Sequence, residues 1–329
     1  SITILNNLSV LNEGIFANCV NLSSVITTNA TINQIKNGAF YNCSNLTTLT
    51  IPVSVTNIGV SAFEGSGLSS IILPDTVTNI GSGVFKNCVS LLNATISNNI
   101  TSIRENAFYG CYNLSSITIP TSVTSIGSYS FFNCTGIGSI TFTPTSNLIS
   151  IGEKAFQNCD TFSSITIPSS VTTVGTTPFI GCSSLTTVVM KSNQFKTMFA
   201  SVPTITDITF DYNGIMESSI CENRTSLTTV VIGNQITSTG SNAFKNCTGI
   251  DSITFNSNSV LNTINSYAFQ NCDSLSSITI PDTVTNIGVS AFEESGLSSI
   301  ILPNSVTNIE VGVFKNCVSL LNATISNNI

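Results

Sequence analysis

The sequence repeats itself at an interval of about 23 residues, and this repeat limits the fold more than any other feature. One unit reads LSSITIPTSVTSIGSYSFFNC from Leu114 to Cys134, and the cysteines at positions 88, 111 and 134 are evenly spaced. Cys159 follows two positions later than this spacing requires, and Cys182 returns to it. Because a unit of this length cannot bury its apolar residues alone, the repeat predicts a solenoid of stacked coils. Further units begin at Leu46, Leu68, Phe162, Leu185, Leu275 and Leu297.

The spacing inside one unit indicates how each coil is built. Ile117 and Ile119 are two residues apart, so both point to one side of a strand while Thr118 points to the other. Phe131 and Cys134 are three residues apart, the spacing at which one helical turn places two core residues. Each column of Ile, Phe and Cys then continues into the next coil. The expected coil has one short parallel strand and little regular helix beyond single turns.

The complete pattern, L-x-x-I-x-I-P-x-x-V-x-x-I-G-x-x-A-F-x-N-C, resembles the BspA-like, or treponemal-type, leucine-rich repeat. Residues 38–43 (GAFYNC), 106–111 (NAFYGC) and 155–159 (AFQNC) carry its most specific part, and the resemblance covers nearly the whole chain. It implies a leucine-rich-repeat solenoid, a right-handed α/β-type superhelix of mostly short parallel strands with an irregular or short-helix convex side. It also implies a cell-surface or secreted protein of a bacterium or an anaerobic protist, which adheres to host proteins or neighbouring cells.

We expect residues 1–329 to form a single array of about 14–15 coils, irregular over residues 183–226. The interval from Cys182 to Cys221 is too short for two regular coils, so two shortened coils replace them. Within it, residues 191–203 (KSNQFKTMFASVP) lack the A-F-x-N-C motif. Two interpretations stay open for this stretch: a degenerate coil with a short helix, or a bend or partner contact on a rigid scaffold.

Two segments of the chain are nearly identical. Residues 47–100 and 276–329 align without a gap at an offset of 229, with ten differences in fifty-four positions. The run from Lys86 to Ile100 reappears unchanged as Lys315 to Ile329, and in the first copy Ile100 continues into another coil. We therefore expect both ends of the chain to be truncated within the array of a longer protein.

The composition excludes several functions. No histidine is present, which removes the usual general base and the commonest metal ligand, and the acidic residues are scattered. The eleven cysteines include no C-x-x-C pair, and one cysteine per coil predicts buried free thiols rather than disulfides or a metal site. Nine basic residues and a net charge of −7 argue against nucleic acid, and no apolar run is long enough for membrane insertion. We expect no enzyme activity and no cofactor.

The concave face is the predicted partner-binding surface, and the alternative stays open that its β-branched residues serve only the strands that carry them. Its strands place Thr118, Thr141, Thr166 and Val189 in one exposed, regular and uncharged row, and such an open face is the usual binding surface of solenoids. The row lacks Trp, Tyr and Arg, so binding there relies on repetition along the array. The expected partners are protein ligands, such as host extracellular-matrix or cell-surface proteins. The complete predicted set is Thr118, Thr141, Thr166, Val189, Thr209, Phe195, Met198 and Phe199, of which the last three belong to the irregular stretch.

Two alternatives to an adhesive function stay open. The repeats can act as a structural spacer that holds other segments away from the membrane, without adhesive activity of their own. They can also form the ectodomain of a sensor or immune-type receptor, which requires a membrane-spanning and signalling segment beyond Ile329. A binding assay with the chain distinguishes the spacer, and the residues that flank the chain distinguish the receptor.

Overall fold

The computed structural model describes residues 1–4, 8–27 and 31–325, and the regular structure of these residues is almost entirely parallel β. The chain divides into two compact units. Unit 1 comprises Ser1–Leu185 with Thr197–Val202, and unit 2 comprises Thr186–Lys196 with Pro203–Ile329. The division falls within the stretch 183–226, which the sequence marks as irregular. That residues 1–329 form one array remains a prediction.

Regular coils of unit 1 contribute two short strands, so the prediction of one strand per coil is wrong. The second strand forms at the V-x-x-I-G corner, where Ser125 and Ile126 pair with Ser102 and Ile103 of the preceding coil. The strands of unit 1 are β1 (Ile2–Thr3), β2 (Val10–Leu11), β3 (Ser24–Ile26), β4 (Gln34–Ile35), β5 (Thr48–Leu49), β6 (Asn57–Ile58), β7 (Ser70–Ile72), β8 (Asn79–Ile80), β9 (Asn93–Thr95), β10 (Ser102–Ile103), β11 (Ser116–Ile119), β12 (Ser125–Ile126), β13 (Ser139–Phe142), β14 (Ser150–Ile151), β15 (Ser164–Ile167) and β16 (Thr173–Val174).

The strands of unit 1 stack in register and form two kinds of parallel sheet. The longer strands form the sheets β1-β3-β5 and β7-β9-β11-β13, and the corner strands form β2-β4-β6-β8 and β10-β12-β14-β16. Ile117 pairs with Ile140 and Thr118 with Thr141, so each sequence column becomes a column of neighbouring side chains. β13 and β15 belong to different sheets. The longer coil between Ile140 and Ile165 therefore coincides with a break in the ladder.

Unit 2 repeats this plan. β17, β18, β20 and β22 follow one another in one parallel sheet, β25 pairs with β27, and the corner strands form β19-β21-β23-β24-β26. These strands are β17 (Thr187–Met190), β18 (Asp207–Phe210), β19 (Gly214–Ile215), β20 (Thr229–Ile232), β21 (Ile236–Ser238), β22 (Ser252–Phe255), β23 (Thr263–Ile264), β24 (Asn286–Ile287), β25 (Ser299–Ile301), β26 (Asn308–Ile309) and β27 (Asn322–Thr324).

The side of each coil that follows the corner strand is made of turns. Of the two predicted forms of this side, irregular or short-helix, the structure shows the irregular one. Tyr129 and Asn133 both have positive φ, 57° and 58°, and this pair of left-handed residues four apart recurs from coil to coil. Asparagine tolerates this conformation better than most residues. The backbone N–H groups of Phe131 and Asn133 donate to the next coil, at 2.7 and 2.9 Å. The turns therefore add their own ladder between coils.

Phenylalanine rings form the centre of the core. Between Phe16 and Phe179, each ring of the A-F-x-N-C column stacks on the ring of the next coil, with centroid distances of 5.1–5.6 Å. The helix α1 (Phe195–Phe199) takes the place of the missing motif. Phe199 stacks on Phe179 at 4.9 Å and so occupies the phenylalanine column. This agrees with the interpretation of the stretch as a degenerate coil with a short helix.

Candidate functional site

The strand face of unit 1, defined as the outward side chains of its longer strands, is exposed and uncharged. In β11, Ile117 and Ile119 are buried while Thr118 is exposed. Thr118 lies directly opposite Thr141 of β13, which is also exposed. Thr166 is exposed on β15, but β15 belongs to another sheet. The structure therefore brings Thr118 and Thr141 together and interrupts the predicted row before Thr166.

The strand face of unit 2, defined in the same way, carries the other two predicted strand residues. Val189 of β17 pairs with Thr209 of β18, and Thr209 pairs with Val231 of β20. All three are half-buried, in contrast to the exposed threonines of unit 1. Val231 in turn pairs with Thr254 of β22, which is exposed. Val189 and Thr209 thus form a continuous row within unit 2, at lower exposure than the sequence predicts.

The assignment of Phe195, Met198 and Phe199 to the binding surface is wrong. All three side chains are fully buried, at 0% exposure. Phe199 fills the phenylalanine column, and the Phe195 ring packs edge-on against Phe210 at 5.7 Å. The physical reason is that this coil still needs apolar residues to cover its neighbours, although it lacks the A-F-x-N-C motif. The sequence feature that could have predicted this burial is the interval from Phe179 to Phe199, which is close to the length of one repeat.

Each unit has a pocket on its strand face that the sequence did not predict. The pocket of unit 1 has a volume of about 350 Å³ and is lined by Thr95, Asn98, Thr118 and Pro120 among others. It lies where β9 and β11 share only the register pair Asn93–Ser116. The pocket of unit 2 has a volume of about 450 Å³. Its lining includes Thr254, Phe255, Asn256, Thr279, Pro281 and Asp282.

Charged residues are divided unequally between the strand face and the turns. Seven of the nine basic residues lie in or next to the turns, and they are Lys36, Lys86, Arg104, Lys154, Arg224, Lys245 and Lys315. Two of them pair with a carboxylate of a neighbouring turn, Lys86 with Glu64 at 3.1 Å and Lys315 with Glu293 at 2.6 Å. Lys191, which follows β17, has its ammonium 4.0 Å from the Asp211 carboxylate. The strand face therefore presents almost no positive charge to a partner.

The comparison with known proteins identifies the family. The BspA-type leucine-rich-repeat model matches residues 1–115, 101–217 and 214–329. The chain belongs to this family. A leucine-rich repeat protein from Bacteroides ovatus is similar at 26% identity and a TM-score of 0.55, over 98% of this chain and 77% of that one. A leucine-rich cell surface protein from Faecalibacterium prausnitzii is 27% identical, with a TM-score of 0.47 over 98% and 86% of the two chains. Among curated proteins, none matches significantly.

The match confirms the predicted leucine-rich-repeat fold, built of parallel β-solenoid turns that number about 14 over the two units. The BspA-type repeat region is a family of interaction scaffolds, and no catalytic family matches the chain. In the residues that the structure describes, no three His, Cys, Asp or Glu side chains are close enough to hold a metal ion. Nor, over the same residues, does any helix have the length and apolar composition that crossing a bilayer requires.

The cysteine of each BspA-type coil is a packing residue, as its position predicts. Nine of the eleven cysteines are buried, and all eleven are free thiols. The Cys134 thiol donates a hydrogen bond to the backbone carbonyl of Phe108 in the preceding coil at 3.1 Å. Most other buried cysteines likewise donate to a backbone carbonyl of the coil before their own. Burial raises the pKa of Cys88 and of Cys182 to about 12. These thiols stay protonated at neutral pH, so they are poor nucleophiles.

Serine replaces cysteine at two of these positions for the same structural reason. Ser66 is buried and lies 3.3 Å from the Cys88 sulfur. Ser295, also buried, lies 3.4 Å from the Cys317 sulfur. A small side chain that can donate a hydrogen bond satisfies the position, whether the donor is a thiol or a hydroxyl. The position therefore requires neither disulfide chemistry nor metal binding.

Proposed function

We propose that this chain binds protein partners on its strand face and acts at the cell surface, or after secretion, as an adhesive array for host or neighbouring-cell proteins. The observation that supports the proposal most is the exposed, uncharged pair Thr118–Thr141, built on a rigid sheet. Membership of the BspA-type family adds to it, because proteins of this family are interaction scaffolds. Matrix or cell-surface proteins of a host are the proposed targets.

The chemistry of the strand face indicates weak binding per coil that accumulates over several coils. In unit 1 the exposed Ile72 pairs with Thr95, and further along the same sheet Thr118 pairs with Thr141. Such side chains offer hydroxyl groups and methyl groups but no large aromatic anchor, so a single coil contributes little. A partner that spans several coils gains from the rigid, regular spacing of the strands. We also propose that the coils wind as a right-handed, α/β-type superhelix with this face on its concave side.

The test compares two double variants in a cell-binding assay. Thr118→Arg with Thr141→Arg places two bulky charges on the strand face, and Ser128→Arg with Gln157→Arg adds the same charge on the turn side. Binding of the labelled chain to cultured epithelial cells and to immobilised matrix proteins is measured at moderate salt, which suppresses non-specific charge effects. We expect saturable binding that the first pair lowers about tenfold or more and the second leaves unchanged.

The outcomes separate this function from its alternatives. Equal losses from both double variants, or loss only from the turn-side pair, place the contact elsewhere and contradict the proposal. Binding that never saturates on either surface favours a spacer. Circular dichroism of each variant verifies that the sheet is intact before the binding data are compared.

A further inference from the structure

The strand face of unit 2 has a gap beside β22. The coil that starts in β22 runs from Ile253 to Ile278, and it is two positions longer than the preceding coil, which runs from Val230 to Ile253. In the described part of unit 2, residues 277–280 form no strand, so the ladder stops at β22 on this side. The two extra residues follow β22 in the stretch FNSNSV, and the next coil does not close onto the strand. Backbone groups of β22 on this side are therefore left for a ligand or water.

This gap opens into the pocket of about 450 Å³ described above. Thr254 and Phe255 form one wall, and Thr279 and Asp282 belong to the facing coil. Phe255 is half-buried, in contrast to Ile119 of β11, which is fully buried in the equivalent position. An aromatic side chain is thereby partly open to the pocket, which Asp282 also lines.

The carboxylate of Asp282 is exposed and uncommitted. Within the described residues it accepts no side-chain or backbone hydrogen bond, and no lysine or arginine pairs with it. Three further carboxylates lie on or beside the strands of this face, at Asp207, Asp211 and Asp251. The only cation beside these described strands is Lys191, which Asp211 already partners at 4.0 Å. Four carboxylates against one ammonium make the strand face of unit 2 acidic.

We propose that this pocket binds an arginine side chain from an extended basic segment of a protein partner, an inference that rests on the proposed function. A guanidinium group stacks on an aromatic ring and bonds a carboxylate with paired N–H groups, and Phe255 and Asp282 supply these two features. The side-chain amide of Asn256 and the open backbone edge of β22 offer further acceptors. The acidic strand face around the pocket attracts the rest of a basic segment.

Unit 1 contains a matched position where this chemistry is blocked. Asp75 follows Pro74 at the same corner of its coil as Asp282 follows Pro281. Its carboxylate accepts hydrogen bonds from the backbone N–H of Asn98 at 2.8 Å and from the Asn98 side chain at 3.3 Å. The pocket of unit 1 is lined by neither an acidic nor an aromatic residue. We therefore expect no arginine site there.

The experiment measures binding of a defined peptide to the full chain. The probe is acetyl-Thr-Val-Arg-Val-Thr-amide, with a second peptide in which neutral citrulline replaces arginine. Titrations are followed by NMR at an ionic strength of about 0.15 M, which screens non-specific attraction. We expect the arginine peptide to shift the resonances of Thr254 and Thr279, and Asp282→Asn to weaken its binding about tenfold. Asp75→Asn removes the same charge and leaves the affinity unchanged.

Each other outcome overturns the inference. Equal weakening by Asp282→Asn and Asp75→Asn means that only net charge attracts the peptide. Equal affinity for the citrulline peptide means that the pocket does not select a cation, and the absence of saturable shifts means that it holds no side chain. The broader function is judged separately, since Thr118→Arg with Thr141→Arg tests the strand face of unit 1. If the Thr118→Arg and Thr141→Arg double variant loses cell binding and Asp282→Asn does not change peptide binding, the adhesive function is supported and the pocket proposal is wrong.

Discussion

The segments 47–100 and 276–329 share their core and differ at their surface. Of the twenty residues at their ten differing positions, only Ile278 is buried. Val53, which is 76% exposed, corresponds to the exposed Asp282. Gly65 and Glu294 occupy the same left-handed turn position, with φ of 69° and 56°. The repeat therefore fixes the stacked columns and leaves corners and turns free to gain charge. Between these two segments, differences in side-chain binding chemistry can come only from the differing surface positions.

The same two segments also differ in what covers them. Phe85 stacks on Phe63 at 5.6 Å and on Phe108 at 5.3 Å, so both of its faces are covered. Its counterpart Phe314 stacks on Phe292 at 5.8 Å and is half-buried. Identical local sequence thus gives different burial in this chain, because Phe85 has a described coil on each side whereas Phe314 stacks on a described coil on one side only. The same substitution can be made at two positions 229 residues apart, one in each segment. The difference between the two variants then measures how much the second neighbouring coil contributes to burial and stability.

The largest expected difference is in thiol reactivity. Cys88 and its counterpart Cys317 lie in identical sequence, but Cys88 is buried and Cys317 is half-buried. Burial raises the pKa of Cys88 from 9.0 to about 12, so its thiolate is about a thousandfold scarcer at pH 8 than that of an ordinary thiol. We expect iodoacetamide to label Cys317 readily in the native chain and Cys88 hardly at all.

Peptide mass spectrometry distinguishes the two cysteines. Cleavage after Lys86 and Arg104 gives a peptide that is longer than the one that follows Lys315, although both begin with the same residues. The exposed Cys19 serves as the positive control, and labelling after denaturation gives the full count. Equal native rates at Cys88 and Cys317 would show that the neighbouring coil does not protect the thiol.

The next effect is on stability. Phe85→Ala leaves a cavity between two stacked rings and should lower the local free energy of unfolding by about 4 kcal/mol. Phe314→Ala removes a half-buried ring with a stack on one face, and the expected loss is about 2 kcal/mol. Hydrogen exchange measures both, since a repeat array need not unfold in one step. Similar losses in the two variants would contradict the role assigned to the second neighbour.

The sequence predicts the stacked columns of core residues well. Each column depends only on the residue spacing within one repeat and on the recurrence of that spacing in the next repeat. The two-residue spacing of Ile117 and Ile119 fixed the inward face of β11, and the A-F-x-N-C motif predicted the stacked Phe131 and the buried Cys134. The corner strands escaped prediction because a two-residue strand, such as Ser125–Ile126, exists only through its pairing with other coils. A local pattern carries no information on that pairing.

The candidate site is less predictable for a related reason. Phe195 and Phe199 stand in a stretch without the motif, so the sequence alone did not show that they fill the core. The pocket beside Phe255 and Asp282 depends on the gap that a longer coil leaves between strands. Two sequence features pointed to this pocket. One is the longer interval from Ile253 to Ile278, and the other is that Asp282 stands where the near-identical segment has Val53. Neither signal gives the geometry that brings an aromatic ring and a carboxylate together.

The smallest expected difference concerns an ion pair on the turns. Glu64 lies 3.1 Å from Lys86, and its counterpart Glu293 lies 2.6 Å from Lys315. Glu293 also accepts a hydrogen bond from Gln270 at 2.9 Å. Hydrogen bonding from Lys315 lowers the pKa of Glu293 below its usual value of 4.5. The Lys315 side chain is largely exposed, so solvent screens the pair and the effect on stability stays small.

The sign of the pH dependence follows from that lowered pKa. A carboxylate whose pKa is lower in the folded chain stabilises the fold above its unfolded pKa of about 4.5, and this contribution is lost as the pH falls through the folded pKa. Glu293→Gln should therefore lower the melting temperature at pH 7, and the difference from the unaltered chain should shrink once the pH falls below about 4.5. Glu64→Gln should cause a smaller decrease at pH 7, because Glu64 has a longer ion pair and no partner equivalent to Gln270 among the described residues. A larger decrease from Glu64→Gln, or a pH-independent one from Glu293→Gln, would mean that packing of the side chain and not its charge distinguishes the two turns.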